Sequence, residues 1–146
     1  MADILGLDIA ATGLTAQRLR LDVISNNIAN INTTRTPEGG PYKREQVIFE
    51  SKLKELMLNL PVPREGAILG NGVRVAGIVQ DQSPAQMVYD PSHPDADASG
   101  YVAMPNVNIV HEMVDMISAT RAYDANIMTL NAAKSMVTRA LEIGRV

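Results

Sequence analysis

A seven-residue recurrence at both ends is the strongest constraint on what this chain can fold into. Ile109, Met116, Tyr123, Leu130 and Val137 follow one another at steps of seven, and Met113, Thr120, Ile127 and Leu141 stand four residues after members of that series. The pattern lines apolar side chains along one side of an α-helix and predicts a helix over 107–143. Pro105 precedes it, Asn106 or Asn108 can cap it, and Glu112 and Asp115 suit its positive end. Arg139 and Arg145 suit the negative end, with Gly144 as a stop. Near the N-terminus Leu7, Leu14, Leu21 and Ile28 recur in the same way, with Ala10, Ala11, Ile24 and Ser25 between them and Gln17 and Arg18 interrupting the stripe. This predicts a second helix over 3–31 with coiled-coil character. Gly6 and Gly13 each weaken it by about 1 kcal/mol relative to Ala.

The stretch between has another texture. All eight prolines and seven of the ten glycines fall within 33–106, which denies that region long helices. VRVAGIV (73–79) alternates and is β-branched, and EQVIFE (45–50) reads similarly, so both predict strands. SKLKELMLNL (51–60) is ambiguous between helical turn and loop. The predicted class is therefore α+β. Long terminal helices pair in a coiled-coil-like hairpin, and a small β-rich insert lies between them. The divisions are 1–32, 33–106 and 107–146.

A two-helix hairpin standing alone should turn charged faces to water, and these helices have few charges. No charge occurs from Val23 to Thr34 or from Ala125 to Ala133. Ala119, Ala122, Ala125, Ala132, Ala133 and Ala140 allow neighbouring helices to approach closely. Helices of this composition are contacted on more than one side, which calls for further copies or related chains. The run ISNNIANINTTRT (24–36) fits two readings. Its asparagines terminate the first helix by bonding local backbone, or they bond a neighbour's backbone without bringing charge into an interface.

Chemistry finds little footing here. The formal net charge is -3, against a nucleic-acid binder, and there is no Cys for a disulfide, a zinc-thiolate site or a thiol nucleophile. The N-terminal sequence carries Asp3 and Asp8 where a secretory signal needs positive charge. No run approaches the ~20 apolar residues of a membrane span, and neither helix has the Lys/Arg-rich face of a membrane-surface helix. Asp95, Asp97, Ser99 and Gly100 match the first half of an EF-hand loop, but Asn106 stands where the bidentate Glu belongs. A turn built from Pro, Asp, Ser and Gly explains that stretch equally. His93 and His111 are the only histidines and lack a ligand set, so packing or capping suits them better. GAILGNG (66–72) has neither the spacing nor the Lys of a phosphate loop. No catalytic, cofactor or metal site is expected, and no enzyme.

Taken together, the motifs resemble a known family. ISNNIANINTTRT resembles the N-terminal signature of the bacterial flagellar rod–hook proteins. SPAQMVYDPSHPDADASGYVAMPNVN followed by EMVDMISATRAYDANI is similar to the basal-body proximal rod proteins of the FlgC type. The likeness runs from Leu5 to Leu141. The asparagine motif is shared across the wider group, whereas YDPSHPDAD and the short middle segment point to the proximal rod. The resemblance implies a structural subunit, exported by the flagellum's own type III apparatus without a cleaved signal. Such subunits assemble helically, with copies of themselves and other rod proteins, into the periplasmic drive shaft around the export channel. The terminal helices would form its inner tube and the insert would lie further out. Within a subunit Leu7, Leu14, Leu21 and Ile28 are expected to pack on Met113, Met116, Tyr123, Ile127, Leu130 and Val137. Asn26, Asn27 and Asn30, with the Ala-rich faces, are expected to meet neighbours. Two other readings compete: a needle- or tip-like type III subunit, and a calcium-binding module using Asp95, Asp97 and Ser99.

Overall fold

The computed structural model describes residues 2–52 and 72–143. The ambiguous stretch after Lys52, the glycine-rich run before Gly72, and Gly144 and Arg145 lie outside the described residues. Helix α1 spans Ala2–Ala29 and helix α2 spans Ile109–Ile143. Among the described residues four strands lie between them: β1 (Glu45–Ser51), β2 (Val73–Gln80), β3 (Gln86–Tyr89) and β4 (Tyr101–Met104).

The two helices lie against each other over most of their length and run in opposite directions. Their register can be read from two meetings. A Cβ on Gly13 would come within 3.0 Å of Asn126 Nδ2, and Asn27 Nδ2 donates to Glu112 Oε2 at 3.0 Å. Asn27 follows Gly13 by two heptads, and Glu112 precedes Asn126 by two. The buried line of α2 is accordingly Glu112, Ala119 and Ala133, with Asn126 half-buried among them. On α1 it is Ala10, Ala16, Val23, Ile24 and Asn27. Gly13 needs its missing side chain, since α2 lies that close. Gln17 also sits in this region, with Oε1 buried and lacking a hydrogen-bond partner among the described residues.

The end of α1 and the start of α2 each have a side-chain explanation. Asn108 caps α2, its Oδ1 accepting from the amides of Val110 at 2.9 Å and His111 at 3.2 Å. Asn30 closes α1: its amide nitrogen donates to the carbonyl of Asn26 at 2.9 Å, and its Oδ1 accepts from Thr33 Oγ1. Asparagine therefore ends α1 by local bonding, and no non-glycine residue among those described takes a positive φ.

The alternating segments form the expected strands. β1 and β2 pair antiparallel with a bulge at Ile48/Phe49, and their sheet rests on α1. At its edge Val73 N donates to Thr12 Oγ1, and Gly72, at φ +93°, lies where a Cβ would run into the same oxygen. β3 and β4 form a second antiparallel pair, which the Pro- and Asp-rich sequence did not announce. Their connection is held by side-chain turns. Asp90 Oδ1 accepts from the Ser92 amide and hydroxyl, and Asp97 Oδ1 accepts from the amides of Ser99 and Tyr101. The Ser92 hydrogen bonds hold the Asp90 carboxyl below its ordinary pKa. Gly100, at φ +81°, lets the chain turn beneath the Tyr89 ring, which meets Tyr101 edge-on at 5.3 Å.

Candidate functional site

A densely hydrogen-bonded polar clasp lies where α1, α2 and the start of β1 converge. Asn27 is 1% exposed and Glu112 is 0% exposed. The Asn27 side chain makes four hydrogen bonds. Oδ1 accepts from the Glu45 amide and the Tyr42 hydroxyl, both at 2.9 Å. Nδ2 donates to the Glu45 carbonyl at 2.8 Å and to Glu112 Oε2. That is the full capacity of a carboxamide. Because it engages both the N–H and C=O of Glu45, the Asn27 amide acts as a one-residue strand partner at the first residue of β1.

The other oxygen of Glu112 accepts from Arg44 Nε. Arg44 Nη2 reaches Asp115 at 3.2 Å, and Arg20 reaches the same carboxylate at 3.0 Å. Two cations thus face two anions, alternating between helices and insert, so the buried Glu112 charge is compensated at contact distance. Arg44 is further held by its backbone. Its amide donates to Asn106 Oδ1 at 2.8 Å, its carbonyl accepts from the Asp81 amide at 2.7 Å, and Asn106 Nδ2 reaches the carbonyls of Asp81 and Ser83. Tyr42 lies beside this group, and its hydroxyl pKa is pushed up to about 12 by burial, reinforced by Glu45 and Glu112. A cleft of about 410 Å³ adjoins the clasp and is lined by Arg20, Arg44, Glu112 and Asp115 together with Val47 and Phe49. Arg20, Arg44, Glu112 and Asp115 are paired with one another. The arrangement positions the two helices against the insert, and its electrostatics are those of a joint.

The side of α2 turned away from α1 is of a different kind. Val110, Met113, Val114, Ile117 and Met128 are all more than half exposed, Met128 reaching 70%. The outward face of α1 has small or polar residues instead: Ala11, Thr15, Arg18, Asp22, Ser25 and Ala29 are all exposed.

Three full-length relatives decide what such a molecule is. A protein of Borreliella burgdorferi named flagellar basal-body rod protein FlgC is 54% identical over 144 residues, covering 94% of each chain. Proteins of the same name from Bacillus subtilis and Escherichia coli are 47% and 44% identical, with at least 94% of each chain covered. The chain belongs to the FlgC family of flagellar basal-body rod proteins. Two family models agree: one described as flagella basal body rod protein matches residues 7–35, and one described as flagellar basal body rod FlgEFG protein C-terminal matches 98–143. FlgC-family membership makes the chain a structural rod protein, and no helix among the described residues is long and apolar enough to cross a membrane.

Within this FlgC-family chain the residues singled out from sequence are distributed as follows. Leu7, Leu14, Leu21 and Ile28 are half-buried along α1, as are Met116, Tyr123, Ile127, Leu130 and Val137 along α2, whereas Met113 is 54% exposed. Of the asparagines, Asn26 faces outward, Asn30 closes the helix, and Asn27 is enclosed within the protomer. Asp95 binds Thr34 Oγ1 at 2.8 Å and lies 3.6 Å from Arg35, while Asp97 serves its own turn, so the two do not converge. No cluster of three or more potential metal ligands occurs among the described residues. His93 Nδ1 accepts from the Asp95 amide, and His111 is exposed.

Sequence reasoning passed over Arg44 and the structural weight of Glu112. A signal was available, since Glu112, Ala119, Asn126 and Ala133 recur at sevens. An apolar template misses that stripe because it contains no large apolar residue.

Proposed function

We propose that this chain is a subunit of the periplasmic rod, assembling helically with copies of itself and other rod proteins into the shaft that carries torque from motor to hook. The shaft would enclose the export channel. In this reading 1–32 and 107–146 form the inner helical layer and 33–106 lies outside it. The helices pair in coiled-coil fashion, Leu7, Leu14, Leu21 and Ile28 supporting Met116, Tyr123, Ile127, Leu130 and Val137. Met113 belongs to the outward stripe, Asn26 and Asn30 meet neighbouring subunits, and Asn27 serves inside the protomer. The protein reaches the rod through the type III apparatus without a cleaved signal. Its role is mechanical, with neither catalysis nor cofactor.

The observation that carries this reading is the contrast between the two sides of α2. One side is sealed against α1, and the other leaves an apolar stripe uncovered. Contiguous exposed apolar surface marks an interaction site, and a heterologous contact that does not close on itself generates a filament. Replacing Leu21 or Leu130 by Asp tests it. Purified basal bodies should then lack the chain and its rod, while the β1–β2 segment stays protected from proteolysis. Normal rods from either variant would refute the packing.

A further inference from the structure

Among the exposed charges of the helix pair, Arg18 and Asp22 on α1 and Arg121 and Asp124 on α2 stand on the outward faces, and none of these four is in an ion pair among the described residues. Each pair occupies one helical turn, cation first. Arg18 and Asp22 also line a groove of about 490 Å³ between α1 and β2, whose far wall is Val73, Val75 and Arg74, the last paired with Glu50. The α1 side of the groove is Thr12, Thr15, Ala16 and Leu19 beside the two charges; Thr15 there, and Ser25 further along the outward face of α1, return their hydroxyls to the carbonyls of Ala11 and Leu21. The outward stripe of α2 has the opposite relief, with Ile117 and Met128 projecting on either side of its charge pair.

The geometry points to one docking mode: the outward stripe of α2 of one copy lies antiparallel along the outward face of α1 of the next, where it borders the α1–β2 groove, with Arg18 facing Asp124 and Asp22 facing Arg121. This rests on the rod-subunit reading and names the contact by which copies join. The order of the charges selects the direction. Antiparallel helices satisfy both ion pairs, whereas parallel helices can satisfy only one and leave the other two charges against apolar surface. With the ion pairs aligned, Met128 comes level with Thr15, Ile117 with Ser25, and Val114 with Ala29, so large side chains meet small ones at these three levels. Orientation follows as well. Because α1 and α2 are antiparallel within a copy, an antiparallel contact between copies leaves both pointing the same way, so the contact is head-to-tail and repeats from copy to copy. The apolar contact supplies adhesion, and the charges set direction and register.

The test is a charge-reversal cycle in a strain lacking the chain, read as swarming motility and as rods recovered in detergent-extracted basal bodies. Arg18→Glu alone sets a carboxylate against Asp124, and Asp124→Arg alone sets a guanidinium against Arg18, so each should lose motility. The two variants supplied together should recover it, because each reversed charge can then face its reversed counterpart, and each native charge its native one, at alternate contacts along the assembly. The double variant in one chain should recover too. Arg18 and Asp124 lie on opposite outer sides of the helix pair, so recovery between copies has no explanation within one chain. Asp22→Arg with Arg121→Glu provides a second, independent cycle, and circular dichroism of the purified variants should match wild type. Wild-type motility in the single variants, or no recovery in either mixture, overturns the docking mode. Absence of the wild-type chain from extracted basal bodies would instead overturn the rod reading itself.

Discussion

The carboxamide of Asn27 donates to the carboxylate of Glu112 at 3.0 Å, joining α1 to α2 at a point where both side chains are almost wholly shielded from water. The same amide engages both backbone groups of Glu45, so one residue fixes the pairing of the helices and the origin of β1 together. Asn27→Asp keeps the shape and replaces the donor by an anion beside Glu112. Leaving a buried charge uncompensated costs about 3–5 kcal/mol, and urea unfolding should show a loss of that order. Adding Glu112→Gln restores a donor opposite the introduced carboxylate and should recover part of the loss. Additive losses in the double variant would mean that the two side chains are not coupled.

How much of this could be read beforehand depended on residue size. The terminal helices announced themselves through Leu, Met, Ile and Tyr at steps of seven, and VRVAGIV and EQVIFE through alternation. The surface that brings the helices together did not, because Gly13, Ala119, Ala133, Asn27 and Glu112 are small or polar and count for little in an apolar pattern. Glu112 was legible only as an acid at a helix start. Its partner Arg44 lies far off in sequence, and long-range polar pairing leaves no local trace. β3 and β4 were obscured because their turn consumes the Pro, Asp, Ser and Gly that read as loop.

Gln17 places an unpartnered oxygen in the buried region of α1. An unmade hydrogen bond there costs about 1–3 kcal/mol, so Gln17→Met, similar in length and a good helix former, should raise the unfolding free energy by roughly 1 kcal/mol. Thermal and urea unfolding would check this. Destabilisation by the substitution would show that the oxygen is satisfied in solution.

Tyr42 gives the clasp a sensitivity to alkali. Its folded pKa, about 12, lies above the ordinary value of 10.0. The stabilisation from keeping the phenol neutral is therefore complete below about pH 10 and is lost as the pH rises towards the folded value. A phenolate would place negative charge beside Glu45 and Glu112 and withdraw the donor from Asn27 Oδ1. Unfolding followed from about pH 9 to the folded pKa should show this fall in wild type. Tyr42→Phe should be less stable at neutral pH and should lack that component of the fall.

Gly72→Ala should damage the seat of the sheet on α1. The new Cβ would occupy a positive φ and collide with Thr12 Oγ1. Backbone strain alone costs about 1–3 kcal/mol. Hydrogen exchange of the β2 amides should accelerate more than that of α2. The companion variant Thr12→Ala removes the obstructing hydroxyl, so Gly72→Ala should cost less in that background. An equal cost in both would place the damage elsewhere.

In the proposed rod the outward stripe of α2, exposed in a free subunit, is covered by a neighbour. The absence of native cysteine allows a direct measurement: Ile117→Cys, at a position 59% exposed, labelled with a maleimide in purified subunit and in intact basal bodies. Labelling should be rapid in the free subunit and strongly suppressed in the rod. Equal labelling rates in the two states would contradict it.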